Sequence, residues 1–171
     1  MAPIIEVVVG DITTLQTDVI VNAANTHLRG GGGVDGAIHF AAGPMLLSEL
    51  EERNPNGTEV GNAVETRAYN LPAKFVIHAV GPRWLGGNEN EPQLLAAAWI
   101  NSLKLSDSLG CKSIAFPSIS TGIYGYPIDL AAKVAISAIR SVEDELENVE
   151  LIQICIFKSS ESHHYECDLL G

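Results

Sequence analysis

Short apolar runs alternate along this chain with longer stretches in which apolar residues recur at helical spacing. Residues 4–9 are mostly β-branched and end at Gly10-Asp11, which predicts a strand and a turn. Residues 18–23 (Asp-Val-Ile-Val-Asn-Ala) predict a second strand, apolar enough to be buried on both faces. Four consecutive glycines at 30–33 follow, and a helical pattern then runs from Val34 to about Arg53. Residues 63–69 and 75–80 predict two more strands, with Leu71-Pro72 as the turn between them. Residues 91–109 predict a helix with Leu95, Trp99 and Leu103 on one face and Gly110 as its stop. Residues 113–119 predict a strand that runs into Ser120-Thr121-Gly122-Ile123-Tyr124-Gly125-Tyr126-Pro127. Pro127 suits the first turn of a helix that faces Ala131, Val134, Ala138 and Val142 inward. A strand over 149–157 and a short helix over 159–170 complete the series.

Strands thus alternate with helices, without internal repeats or low-complexity tracts. The pattern predicts an α/β sandwich with a mostly parallel sheet covered on both faces. In such sheets ligands gather at the carboxyl ends of the strands, and both glycine-rich segments fall at strand-to-helix junctions.

Composition narrows the class. The 171 residues are one domain's worth, so 1–171 reads as a single domain, and 46% hydrophobic with 18% charged residues describes a globular chain. Apolar stretches are only of strand length, so no membrane span is expected, and residues 1–9 lack the features of a signal peptide. A cytoplasmic location is the expectation. Cys111, Cys155 and Cys167 form an odd set without CxxC spacing, which favours buried thiols over disulfides or a metal site. His163 and His164 are adjacent, which is not a metal-ligand spacing on a helix, so no metal is expected. Ten basic residues against twenty-one acidic ones, net −11, disfavour nucleic acid as a partner. Backbone N–H groups at loops and helix starts can still hold a phosphate without any basic side chain.

The glycine run carries the strongest chemical signal. Four glycines between a buried strand and a helix point to close approach of the backbone to a ligand, with free N–H groups and the helix dipole converging on an anion such as a pyrophosphate. Residues 120–126 form a second loop of this kind, in which Ser120, Thr121 and Gly122 offer donors and Tyr124 and Tyr126 flat walls. Neither loop is GxGxxG or carries a P-loop lysine, so a Rossmann dehydrogenase or NTPase is disfavoured. Asp11 serves either as a turn cap or as an acceptor for an exocyclic amine. Asn22 and Asn25 end a buried strand, where amides need partners, and one of the two ties the loop together. Asp35, one turn into the helix, is either a helix-start charge or a group that orients a water or holds a ribose hydroxyl. His39 and His78 fall within apolar patterns and read as core or wall residues.

Four motifs, in order, resemble the macrodomain family: Gly10-Asp11-Ile12, Val21-Asn22-Ala23-Ala24-Asn25, Gly31-Gly32-Gly33-Val34-Asp35-Gly36-Ala37-Ile38-His39, and the segment from Ser118 to Pro127. The similarity is to the subgroup that hydrolyses ADP-ribose esters on proteins and O-acetyl-ADP-ribose. It implies a three-layer α/β/α fold with a mixed, mostly parallel six-stranded sheet. It also implies that Asp11 binds the adenine amine, that the Ile12 backbone seats the ring and that Phe157 stacks on it. Asn22 is counted with the ligand-binding set. Gly32, Gly33 and Val34 would line one side of the pyrophosphate, and Ser120, Thr121, Gly122, Ile123 and Tyr124 the other. Asn25 and Asp35 match the catalytic pair at the distal ribose, with Tyr126 closing over it.

The resemblance implies a hydrolase whose partners are ADP-ribose or O-acetyl-ADP-ribose and mono-ADP-ribosylated proteins, with no cofactor and no metal. The alternatives are a non-catalytic reader of ADP-ribose and an RNA-associated regulator, the latter disfavoured by charge. Phe40 departs from the family pattern, in which arginine often follows the histidine at 39.

Overall fold

A computed structural model describes residues 2–171. Among them, six strands form one sheet: β1 (Ile4–Val9), β2 (Val19–Ala24), β3 (Ala63–Arg67), β4 (Phe75–Val80), β5 (Ser113–Phe116) and β6 (Leu151–Ile156). Their order across the sheet is β1-β6-β5-β2-β4-β3. The first five strands in that order run parallel, and edge strand β3 alone is antiparallel. The carboxyl ends of the parallel strands therefore share one edge.

Five α-helices cover the faces: α1 (Gly33–Ala42), α2 (Met45–Arg53), α3 (Glu91–Ser108), α4 (Ile128–Val142) and α5 (Ser162–Leu170). Alternation along each strand sorts the layers. Ile20, Val76, Ala115 and Cys155 pack with Ile38, Ala42 and Leu46 of α1 and α2. Val21, Ile77, Ile114 and Phe116 pack with Leu95, Trp99, Ala131, Ile139 and Tyr165 of α3, α4 and α5. Trp99 stacks on Phe116 with ring centroids 4.0 Å apart. The fold is the expected three-layer sandwich, with the central strands buried on both faces.

Several boundaries differ from expectation, among them the strand expected over 149–157, which spans Leu151–Ile156. The helix expected over 34–53 is two helices, because Gly43 takes φ +90° and Pro44 cannot donate to the turn before it. The strand expected over 113–119 ends at Phe116, since Pro117 has no N–H for the ladder. The strand expected over 63–69 ends at Arg67, before Tyr69 turns left-handed at φ +51°. Val134 is only half-buried, and Cys167 is exposed while Cys111 and Cys155 are buried. No helix among the described residues is long and apolar enough to cross a membrane.

Candidate functional site

Five loops meet at the carboxyl edge of the parallel strands. At its β1–β6 end, the Gly10 N–H donates to the Ile156 carbonyl (3.0 Å), which sets Asp11 beside Phe157. Phe157 is 80% exposed, a large apolar face left open to solvent. Asp11 caps its turn, with Oδ1 accepting from the Thr13 N–H (2.9 Å) and hydroxyl (2.7 Å). Its Oδ2 has no protein donor among the described residues, so the capping role leaves one oxygen free. Ile12 is buried beneath.

The loop after β2 is knitted by Asn25. Its Nδ2 donates to the Gly30 carbonyl (3.1 Å), and its Oδ1 accepts from the N–H groups of His27 (3.1 Å) and Leu28 (3.2 Å). Gly31, Gly32 and Gly33 then lie exposed at the start of α1. The N–H groups of Gly33, Val34 and Asp35 belong to the first turn, which has no intrahelical acceptors for them. The positive end of the helix dipole adds to their pull on an anion.

Asp35 projects from that first turn and is 7% exposed at its side chain. Its Oδ1 accepts from Asn22 Nδ2 (2.8 Å), with His39 Nε2 at 3.4 Å. Its Oδ2 faces Gly31, where a Cβ would stand 3.2 Å from that oxygen and 3.5 Å from Asn25 Nδ2. Asp35 Oδ2 and Asn25 Nδ2 therefore converge on the space beside Gly31.

Asn22 corrects the sequence expectation. The expectation places it among the ligand-binding residues, yet its side chain is fully buried between α1 and β4 and bonded to Asp35 and His78. Its strand position alternates onto the α1 face, behind the groove rather than in it. Asn25 is the one of the pair that ties the loop.

The loop after β5 supplies the opposite wall. Ser120 sits at φ +70° and Gly122 and Gly125 close a turn, with the Tyr126 N–H donating to the Ser120 carbonyl (3.0 Å). The N–H groups of Thr121, Gly122, Ile123 and Tyr124 find no acceptor among the described residues, which leaves four donors of the kind that can hold an anion. The Thr121 hydroxyl bonds Ser118 Oγ (2.8 Å), and Ser118 Oγ bonds the Tyr165 hydroxyl (2.6 Å), tying the loop to α5. A Cβ at Gly32 would lie 3.8 Å from Ile123 Cδ1, so the two loops face each other across van der Waals distance. Tyr126, expected to close over the groove, is instead 2% exposed, with its ring 4.7 Å from that of Trp84. It anchors the loop from below, and burial pushes its phenol pKa up.

The loop after β4 went unread in the sequence. A Cβ at Gly81 would overlap Ser120 Oγ and Ile119 Cγ2, so glycine there is what lets the second loop approach β4. The Trp84 N–H donates to the Tyr124 carbonyl (2.8 Å), and the Arg83 guanidinium lies 5.0 Å from the Tyr124 ring centroid. Glu91 fixes this loop by accepting from the N–H groups of Leu85, Gly87 and Glu89. Burial pushes its carboxyl up, but these donors outweigh it and hold the pKa at about 2. The available signals were Gly81-Pro82 directly after a strand and an acid at a helix start.

The sequence matches the Macro domain family over residues 21–135. A macro domain-containing protein of Chlorobaculum tepidum is 51% identical over 163 residues, covering 95% of this chain and 94% of that one. A protein of Escherichia coli K12 named O-acetyl-ADP-ribose deacetylase is 50% identical over 164 residues, covering 95% and 93%. Among solved structures, a mutant Oceanobacillus iheyensis macrodomain with ADPR superposes with a TM-score of 0.90 at 43% identity, covering 96% of this chain and 90% of that one. A Trypanosoma brucei macrodomain in complex with ADP-ribose gives 0.89 at 39% identity, covering 98% and 69%.

Proposed function

This chain belongs to the macrodomain family, and from that premise we propose that it binds ADP-ribose along the groove and hydrolyses ADP-ribose esters. Its substrates in this reading are mono-ADP-ribose on acidic side chains of proteins and O-acetyl-ADP-ribose. Asp35 carries the reading: a buried carboxylate with one oxygen bonded to Asn22 and the other facing the exposed Gly31 of the glycine run, at the start of α1.

The ligand then lies with adenine against Phe157 and Asp11, the diphosphate between residues 32–34 and 120–124, and the distal ribose beside Asn25 and Asp35. The second N–H of Asn25 Nδ2, not used by Gly30, holds a ribose hydroxyl. Asp35 Oδ2 orients a water toward the anomeric carbon. As water oxygen bonds that carbon, its bond to the glutamyl oxygen breaks and the carboxylate leaves with the electron pair. The water's proton passes to Asp35 or to the ligand's own phosphate and then to solvent. In O-acetyl-ADP-ribose the same water attacks the acetyl carbonyl, releasing acetate and restoring the ribose hydroxyl.

Calorimetric titration with ADP-ribose, combined with release assays on glutamate-linked mono-ADP-ribosylated protein and on O-acetyl-ADP-ribose, tests this. Asp35→Ala is expected to lower kcat by about 10²–10⁴-fold while ADP-ribose affinity stays within a few-fold. Binding without turnover by the wild type makes the protein a reader. Absence of binding removes the assignment altogether.

A further inference from the structure

Behind Asp35, and away from the groove, three fully buried polar side chains cross the sheet in a line: Asn22 on β2, His78 on β4 and Thr66 on β3. Asn22 and His78 stand opposite each other in register. We propose that His78 is a positioning residue for Asp35, acting through Asn22 to commit Oδ1 to the protein and leave Oδ2 as the oxygen that handles water. This rests on the hydrolase reading above.

The direction of every hydrogen bond along the line is fixed from one end. The Asp35 carboxylate only accepts, so the Asn22 atom facing it is the donor Nδ2, and that same nitrogen requires an acceptor at His78 Nδ1. The His78 proton therefore resides on Nε2 and is given to the Thr66 hydroxyl (3.0 Å), which passes its own to the Arg67 carbonyl (3.0 Å). Asn22 Nδ2 fills the Nδ1 acceptor (3.1 Å) with one proton and gives its other to Asp35 Oδ1 (2.8 Å). Both amide protons are used, so the amide plane is locked. Burial, with the charge of His39 adding to it, drives the His78 pKa down to about 3 and keeps the ring neutral, as the line requires.

A second observation separates this line from ordinary core packing. Asn22 Oδ1 is buried without a partner. Turning the amide over would set that oxygen against the Asp35 carboxylate and the His78 Nδ1 lone pair, so the orphan acceptor persists as a consequence of serving both. On the opposite face of β2 and β4, the alternating residues Val21, Ile77 and Ala79 are apolar. A face selected for stability alone has no need of the polar line.

The test compares His78→Leu, of similar volume without polar atoms, with His78→Gln. The glutamine carbonyl can accept from Asn22 and its amide can donate to Thr66. His78→Leu is expected to lower kcat for ester hydrolysis by about tenfold or more, with KM and ADP-ribose affinity within about threefold of wild type. His78→Gln is expected to recover most of that loss. Histidine-ring nitrogen NMR of the wild type is expected to show His78 neutral with its proton on Nε2 between pH 5 and 8. Should His78→Leu fail to fold, Thr66→Val removes the far acceptor instead and is expected to lower kcat several-fold with affinity unchanged. An active wild type whose folded His78→Leu or Thr66→Val variant keeps its kcat overturns the proposal, as does a proton on Nδ1 or a glutamine variant as slow as the leucine one. A wild type that hydrolyses neither ester instead refutes the hydrolase reading on which this rests.

Discussion

Asp35 presents its two oxygens to different surroundings, and the buried His78 behind it makes the fold sensitive to acid. An unfolded chain takes a proton on imidazole near 6.5, whereas the buried His78 refuses one until about 3. Its contribution to stability is therefore complete above about pH 6.5 and is lost as pH falls toward 3, at no more than about 1.4 kcal/mol per pH unit. Denaturant unfolding at pH 7, 6 and 5 is expected to show this decline, and His78→Gln to show a shallower one. Carboxyls such as Glu91, held low, begin to lose their share only below about 4.5, so the two effects separate. At this scale the sequence was half legible. Asp35 and Asn25 announce themselves through the glycines around them. Asn22 does not, because which face of β2 lies beneath α1 depends on how that helix docks on the sheet, which the local pattern does not record. Tyr126 looked like a lid for the same reason: a tyrosine in a glycine-rich loop does not reveal that Trp84, forty-two residues earlier, holds its ring in the core.

At the level of elements, the α1–α2 corner shows where periodicity misleads. The apolar spacing continues through Gly43-Pro44, so a periodicity reading joins two helices that the backbone separates. The Gly43 N–H donates to the His39 carbonyl (3.1 Å), and a Cβ there would stand 2.9 Å from Asn70 Nδ2. Gly43→Ala is expected to lower unfolding stability by about 1–2 kcal/mol, since φ +90° strains any L side chain. Because the corner lies at the far end of α1 from the glycine run, ADP-ribose affinity measured by calorimetry should stay unchanged. Every expected strand is present, and 4–9 and 75–80 keep both their ends, whereas those over 63–69, 113–119 and 149–157 end early. The apolar run after β5 leaves the sheet at Pro117 to build a wall of the groove, and hydropathy cannot tell a strand from a buried loop.

For the whole molecule, charge and fold pull in opposite directions. A net charge of −11 repels a diphosphate, while the groove offers it backbone N–H groups in place of lysines. Screening falls to a length of about 10 Å at 0.1 M salt, which removes distant repulsion more than contact attraction. Raising NaCl from about 20 to about 200 mM is therefore expected to leave ADP-ribose affinity unchanged or tighten it up to a few-fold. A steady weakening would show that side-chain cations, Arg83 foremost, carry the binding. The sandwich itself was legible from alternation of periods, but the order β1-β6-β5-β2-β4-β3 was not, since pairing between distant strands leaves no local trace.

That order has a bearing on how the chain is made. β1 pairs with β6 alone, and Glu6 Oε1 meets Gln153 Nε2 across 147 positions of sequence. On the ribosome, β1 emerges before β6 and waits, a β-branched strand with both edges open, until the intervening segments have been translated. The Gly-rich half of the groove can assemble from contiguous segments while synthesis proceeds. The half that sets Asp11 beside Phe157 closes only when β6 arrives, so the two halves of the groove form at different times.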